Sequence, residues 1–473
     1  MDSNVTYNRS KQNFYHEIKQ ILHKKHRESV WYMVELMGLH GQEEATRKQA
    51  CARLMQQLQQ PYPASRPTIR KWFGLNGYAV PTREQVYCLG FALHMKGEQL
   101  DHFLREGIGQ VGVQYNDYRE VIFLFSLENG YAYDQALEMI AEYEQMFEVQ
   151  TEMIHTHSTN QLMKEFAYHK HHGRRAFMKW MMDNSQFFKG YSLTTLDYLH
   201  TYKYMIMDVI REDSKRNLDN LMRETDFALW LQLKCNTDAQ KEYQMIEKYI
   251  ASVKRKKRSK VSEDLLDQIH ELNRIGNSDR AFNSTIVQLL QNSAGKPYLP
   301  EMTSKHLSDL LSLPVQKERE IRSNIAENVL KNMDPEERCP GWIVNFIADY
   351  TKDRYLADTV GEALMWVDKF CKEHHRRCRL IQREDFLPMI LYVSQRQYQH
   401  SIEQKETRYR RDDAFDMFRD MVNATFAACG MRKWNPMFQL DSLLAACFQR
   451  DDMFYYSELC DAVKIATEEM TIE

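Results

Sequence analysis

The chain has 473 residues, a formal net charge of −3 at pH 7, and a composition that is 43% hydrophobic, 12% aromatic and 27% charged. These fractions are ordinary for globular proteins and exclude a wholly disordered chain. With only 17 glycines and 11 prolines, the chain lacks the turn residues that all-β and glycine-rich nucleotide-binding folds need. We therefore expect an all-α protein of about two to four domains. Any nucleic-acid site must then be a local basic patch.

The N-terminal region begins with two or three helices, which apolar residues at helical spacing predict between residues 11 and 60. Ser65 or Arg66 is then expected to cap a short helix that has Pro67 in its first turn. Thr82 and Gln85 have the spacing of a capping box, so the next helix should begin directly after Thr82.

Helical periodicity continues along most of the remaining chain, and no long two-residue alternation predicts a sheet. The strongest break in composition is the basic run Lys254–Lys260, and a weaker one is Gly295–Pro300. We therefore predict an N-terminal helix-turn-helix-like bundle followed by a multi-helix body. The predicted domains are a helix-turn-helix-like unit at 1–108, a helical body at 109–252, a basic linker and connecting segment at 253–303, and a C-terminal helical domain at 304–473.

Two parts of the sequence echo each other. Each begins with an arginine and a glutamate at the head of an apolar helix, and each continues to a glycine, aromatic residues and an aspartate. The first copy comprises Thr82–Gln85, Phe103–Ile108, Tyr115, Asp117 and Val121–Leu127, and the second comprises Gln382–Asp385, Phe426–Met431, Phe438, Asp441 and Leu443–Phe448. The pattern indicates either a weak internal duplication or the chance likeness that helical sequences often share.

One segment carries a recognisable motif. Thr68–Gly74, followed by Pro81, Phe91–Leu93 and Phe103–Leu104, resembles the second half of a Cro/repressor-type helix-turn-helix domain, and the resemblance covers about residues 45–108. It implies a recognition helix that ends at a tryptophan. Ile69 and Trp72 are three residues apart and share the buried face, while Phe73 also turns inward. The residues left to face a DNA groove are Arg66, Thr68, Arg70 and Lys71.

The motif departs from the family pattern at three places. Gln59–Ala64 makes a longer connection than the usual tight turn, Phe73 stands where the family has an acidic residue, and the loop Gly74–Val80 is apolar. The alternative is therefore a helical bundle that keeps the shape of the motif and no longer binds DNA.

A wider resemblance covers about half of the chain. Arg83–Tyr143, Thr156–Met205 and Arg383–Val463 are similar to an uncharacterised family of helical proteins from Clostridia-like bacteria. In that family a repressor-like segment leads a long helical body. The resemblance implies a bacterial cytoplasmic protein with a helical fold, and it implies no particular chemistry.

Histidines and cysteines cluster in two places without forming a convincing metal site. Cys371, His374, His375 and Cys378 share one helical stripe, but the two cysteines would stand about 10 Å apart on a straight helix and could not wrap a tetrahedral ion alone. We therefore expect no metal and no cofactor. The other cluster, which we expect to be a solvated inter-helix segment, contains His155, His157, His169, His171 and His172.

The basic run admits two interpretations, a solvated linker or a tether that contacts phosphates. Its residues are Lys254, Arg255, Lys256, Lys257 and Arg258, with Lys260 at its end. The sequence contains no Walker loop, nucleophile elbow or zinc-protease motif, and we expect no enzyme activity.

An odd number of cysteines, nine, and the absence of an apolar leader or membrane-length segment predict a cytoplasmic protein with reduced thiols and no membrane contact. Together these features predict a bacterial DNA-binding transcriptional regulator whose helical body senses a signal or oligomerises. The expected partners are DNA and either a second copy or another protein. The alternative is a non-enzymatic interaction scaffold with a degenerate helix-turn-helix.

Overall fold

A computed structural model describes residues 2–58, 62–146, 159–188, 192–233, 242–255, 261–277, 279–292, 299, 302–351, 357–374 and 381–472. Over these ranges the regular secondary structure is entirely helical, and the only extended pairings are isolated bridges such as Asn292 with Met302. The predicted all-α, multi-helix fold is confirmed.

Ten α-helices lie in the described part of the N-terminal half. They are α1 (Asp2–Leu36), α2 (Glu44–Gln57), α3 (Arg66–Trp72), α4 (Arg83–Ala92), α5 (Gly97–His102), α6 (Tyr118–Glu128), α7 (Tyr133–Met146), α8 (Thr159–His169), α9 (Arg174–Asp183) and α10 (Leu193–Arg223). A π-helical turn, Phe103–Gly107, extends α5, and a 3-10 turn, Ser185–Phe188, follows α9.

Eleven further α-helices lie in the C-terminal half, counted over the same described ranges. They are α11 (Phe227–Leu233), α12 (Glu242–Lys254), α13 (Glu263–Asn277), α14 (Asp279–Leu290), α15 (Ser304–Lys331), α16 (Gly341–Thr351), α17 (Val360–His374), α18 (Arg383–Glu403), α19 (Arg411–Ala428), α20 (Gln439–Ala445) and α21 (Tyr456–Ile472).

The described helices bury three separate apolar clusters. The largest joins α1–α10 to α14, the start of α15 and α18–α21. A second lies among the end of α15, α16 and α17, and a third among α11, α12 and α13. The 31-residue helix α10 contacts α13, α15 and α18, so it connects the large cluster to the smaller ones.

The first helix reaches across the molecule to the last ones. The Phe14 ring stacks on Phe454 with centroids 4.3 Å apart, and Lys19 forms an ion pair of 2.9 Å with Glu469 on α21. Lys25 also donates a hydrogen bond to the carbonyl of Met437, just before α20. Residues at the two ends of the sequence therefore share one core.

The predicted helix starts in the N-terminal region are confirmed. Ser65 caps α3 by accepting a hydrogen bond from the Thr68 amide. Thr82 and Gln85 form a reciprocal capping box at the start of α4. These contacts form because side-chain oxygens satisfy amides that have no partner in the first helical turn.

The segment 253–303, predicted as a linker, contains the helices α13 and α14. Helix α13 packs along α10 and α12. Helix α14 contributes Ile286 and Leu290 to the largest apolar cluster.

Within the part of the chain that the structure describes, no helix has both the length and the apolar character needed to cross a membrane. Six cysteines in these ranges are free thiols: Cys51, Cys88, Cys339, Cys429, Cys447 and Cys460.

Candidate functional site

The short helix α3 carries the residues of the predicted DNA-binding face. Ile69 and Trp72 are fully enclosed in the largest apolar cluster, and Phe73 is buried directly after them. On the opposite face Arg66 and Arg70 are exposed, and Thr68 and Lys71 are half-buried. The expected division between an inward apolar edge and an outward basic edge is therefore present.

Helix α2 holds the end of α3 through Arg47. The Arg47 guanidinium donates a 2.6 Å hydrogen bond to the carbonyl of Gly74 and a longer one of 3.4 Å to that of Phe73. Gly74 has a φ of +63°, and a Cβ atom there would approach Arg47 Nη1 to 2.7 Å. Only glycine allows both this turn and the close approach of the guanidinium.

The charge of this region differs sharply from that of the whole chain. From Ala45 to Arg83 the sequence contains seven lysines and arginines and no aspartate or glutamate, whereas the full chain has a net charge of −3. Four of the seven are engaged, since Arg47 and Arg53 bond to backbone carbonyls while Lys48 and Arg83 pair with Glu44 and Glu120. The other three, Arg66, Arg70 and Lys71, all lie on α3, so its outward face is locally positive.

The predicted phosphate-contacting run is described only in part. Lys254 ends α12 and forms a 2.8 Å ion pair with Asp267 on α13, and Arg255 follows it. Lys256, Lys257 and Arg258 lie outside the described residues.

The histidines and cysteines of the two clusters that lie within the described residues do not form a metal site. His169 stacks on Trp180 with centroids 4.7 Å apart, and its ring lies 5.3 Å from that of His172. His155, His157, His375 and Cys378 lie outside the described residues, and Cys371 and His374 are placed only as the end of α17. The described residues contain no group of three or more side chains that could hold a metal ion.

A half-buried arginine stands at the first position of α4. Arg83 donates to both oxygens of Glu120 on α6, at 2.5 and 2.7 Å, and to the carbonyls of Val111 and Gly112, at 2.7 Å each. Glu120 also accepts a 2.8 Å hydrogen bond from the Gln114 amide. Burial alone would lower the pKa of Arg83, but the adjacent Glu120 carboxylate raises it.

An equivalent arginine stands at the first position of α18. Arg383 forms a bidentate pair with Asp441 on α20, at 2.9 and 2.8 Å, and donates to the carbonyl of Arg432 at 3.2 Å. Asp441 accepts a 2.8 Å hydrogen bond from the Asn435 amide. The guanidinium also lies 5.0 Å from the centroid of the Phe426 ring.

The two arrangements match position by position. In each unit, the backbone amide that donates to the carboxylate lies six residues before the acidic residue. The backbone carbonyl that accepts from the arginine lies three residues before that amide. A glycine in the left-handed region precedes that carbonyl by two residues, Gly109 with φ +63° and Gly430 with φ +68°. We call α4–α6 the first unit and α18–α20 the second unit. The shared geometry supports the internal duplication.

The structure corrects the pairing of residues that the sequence echo indicates. Gly109 corresponds to Gly430, whereas the echo pairs Gly107 with it. Glu120 corresponds to Asp441, whereas the echo pairs Asp117 with it. Asp117 instead caps α6 by accepting from the Arg119 amide. The π-helical turn Phe103–Gly107 adds one residue relative to the α-helix of the second unit and so accounts for part of the slip.

The two units meet at a cavity of about 580 Å³. The Gln439 amide bonds to the Gly109 carbonyl at 2.8 Å beside it, which joins the units directly. The lining comes from the first turns of α4, α15, α18 and α20 and from the loop after the π-helical turn. Its residues are Val80, Pro81, Arg83, Ile108, Gly109, Gln110, Val111, Gln114, Leu299, Thr303, His306, Gln382, Arg383, Glu384, Asp385, Phe438, Gln439 and Leu440.

The polar side chains that line the cavity differ in whether they have hydrogen-bond partners. Asp385 accepts from the Gln382 amide and from His306 Nε2, at 2.9 and 3.1 Å. Glu384 Oε2 is enclosed and has no hydrogen-bond partner among the described residues, and the side-chain amides of Gln110 and Gln114 make no hydrogen bond there either. Burial raises the pKa of Glu384, and the nearby Arg383 and Arg83 oppose that rise.

No protein-family model, curated protein or solved structure matches this chain.

Sequence reasoning missed the buried arginine–carboxylate pairs and the cavity between them. A signal was present, because an arginine followed by a glutamate stands directly after the cap in both Thr82–Gln85 and Gln382–Asp385. Charged residues at the start of a helix are usually solvated. The repeated arginine and glutamate therefore predict only a local helix cap, and they do not predict an ion pair with a residue far along the chain.

Proposed function

We propose that the protein binds DNA as a transcriptional regulator through the outward face of α3. The observation that carries the proposal is the combination of two features in one segment. Arg66, Thr68, Arg70 and Lys71 face away from the core, and the 39 residues from Ala45 to Arg83 contain no acidic side chain. Arginine and lysine bind phosphates and guanine edges, and threonine can contact a thymine methyl group.

The burial pattern of α3 suits a helix that is fixed on its inner face and exposes its outer face to DNA. Ile69 and Trp72 fix its inner face, while Arg47 holds its C-terminal end against α2. Because the helix is anchored on one face and at one end, its exposed side chains have defined positions relative to the rest of the molecule. Such anchoring lowers the ordering cost of binding.

The test is binding to host genomic fragments across a series of salt concentrations. We expect complexes with particular fragments to survive physiological salt, because base contacts add to the phosphate attraction. The double variant Arg70→Ala/Lys71→Ala should weaken binding by about 1–3 kcal/mol for each interaction with a base that it removes. If both side chains contact phosphates instead, the salt slope should fall by about two.

A matched control is available on α9. Arg175→Ala/Lys179→Ala removes two exposed cations that also share one helix, and it should leave affinity nearly unchanged. Reduced affinity in both double variants would indicate a nonspecific charge effect. Smearing at low salt alone, with no fragment preferred, would favour the interaction scaffold with a degenerate helix-turn-helix.

A further inference from the structure

We propose that the cavity between the first and second units binds a small neutral molecule that presents a planar pair of N–H donors, as the edge of a guanine base does. The proposal concerns a surface separate from α3 and does not rest on DNA binding. It depends on three features: a cavity of sufficient size, an enclosed carboxylate oxygen that has no hydrogen-bond partner among the described residues, and side-chain amides that can donate to acceptors on the ligand.

The cavity is large enough for a nucleoside. Its volume is about 580 Å³, within the range of about 300–1,000 Å³ that is usual for small-molecule sites. Apolar side chains such as Val80, Leu299, Phe438 and Leu440 line part of it and suit the faces of a planar ring. Convergent polar groups on an otherwise apolar wall are the usual composition of a ligand pocket.

The hydrogen-bonding groups define what the ligand must offer. A carboxylate is an acceptor, so Glu384 requires N–H or O–H donors. The side-chain amides of Gln110 and Gln114 can both donate and accept, and like Glu384 Oε2 they make no hydrogen bond within the described residues. Guanine matches this set, because N1–H and the exocyclic amino group face a carboxylate while its O6 and N7 accept from an amide.

Hydrogen-bond acceptors decide between guanine and a cation with the same N–H pair. The two arginines that act electrostatically on Glu384 are each paired with a carboxylate, so their charges do not select against a cation. A guanidinium offers only donors and would leave the side-chain N–H groups of Gln110 and Gln114 without acceptors. A guanine base offers acceptors to these amides as well as donors to Glu384.

The test measures binding of guanosine to the full-length protein by equilibrium dialysis. Inosine lacks the exocyclic amino group and is the matched ligand control, and agmatine tests the charged guanidinium alternative. We expect guanosine to bind the wild type, and inosine to bind at least about 10-fold more weakly because it makes one hydrogen bond fewer to a charged group. Agmatine offers no acceptor to the glutamine amides and should bind at least about 10-fold more weakly than guanosine.

Two variants locate the site. Glu384→Gln removes the charged acceptor and should weaken guanosine binding at least about 10-fold. Glu84→Gln is the matched control, since Glu84 has the same place in the first unit but is exposed and does not line the cavity. It should bind guanosine within about twofold of the wild type, because it removes the same charge without touching the cavity wall.

Several results would overturn the proposal. These are failure of guanosine to bind the wild type, equal binding of guanosine and inosine, binding of agmatine alone, or wild-type affinity in Glu384→Gln. Circular dichroism melts establish that each variant is folded. If Glu384→Gln does not fold, Gln110→Ala replaces it, and the comparison of guanosine with inosine on the wild type still decides the matter.

Discussion

Replacing Asp441 by asparagine should destabilise the protein strongly, because it removes one charge of an almost fully buried ion pair. The side chains of Arg383 and Asp441 are 4% and 0% exposed, and they are joined by two hydrogen bonds of 2.9 and 2.8 Å. An asparagine keeps the shape but offers one carbonyl oxygen in place of two, and its NH₂ group would face the donors of Arg383 or the Asn435 amide.

The magnitude follows from the charge that remains behind. Removing one partner of a buried pair leaves the other uncompensated and costs about 3–5 kcal/mol. We therefore expect Asp441→Asn to lower the free energy of unfolding by about that amount. Replacing both Arg383 and Asp441 by apolar residues of similar volume should cost much less, because no charge then stays buried.

Urea unfolding followed by far-UV circular dichroism measures the change, provided that the slope with denaturant is unchanged. The control is Glu403→Gln, which breaks the ion pair between Arg216 and Glu403, whose side chains are 48% and 46% exposed. An exposed pair contributes about 0–1 kcal/mol. If Asp441→Asn costs no more than Glu403→Gln, the second unit does not depend on this pair and our account of it is incorrect.

Two further predictions concern the N-terminal region. Trp72→Ala should destabilise the protein by about 3–5 kcal/mol through the cavity it leaves, and a normal melting temperature would contradict the assignment of Trp72 to the core. Burial and then the charge of Glu120 raise the pKa of Asp117 from 3.8 to about 7. The folded state therefore binds the proton more tightly than the unfolded state, so this contribution to stability is present below about pH 4 and is lost as the pH rises to about 7. Asp117→Asn should keep the cap and flatten that part of the pH profile, and a slope equal to that of the wild type would refute the assignment.

Local features of the fold were predictable because they depend on neighbours in the sequence. The cap at Ser65, the capping box of Thr82 with Gln85 and the burial of Trp72 each follow from residues at most a few positions apart. Helical periodicity likewise predicted the all-α class, since each helix exposes one face and buries another.

The long-range pairs could not be predicted in the same way. Glu120 lies 37 residues after Arg83, and Asp441 lies 58 residues after Arg383. A carboxylate on a helix is usually solvated, so nothing local distinguishes these two from the many acidic residues of the chain. The comparison of the two units also slipped, in part because the π-helical turn Phe103–Gly107 cannot be recognised from periodicity alone. The cavity depends on how the units meet and left no pattern in the sequence.

The packing of α1 against the last helices has a consequence for how the chain is made. A ribosome synthesises Phe14 about 440 residues before Phe454, the ring on which it stacks. At about 5–20 residues per second, the interval is about 20–90 s. During that time the apolar stripe of α1 lacks its final partner and is open to chaperones or to other nascent chains. Slowed translation of the C-terminal region should therefore increase aggregation of the newly made protein, even though its mature sequence is unchanged.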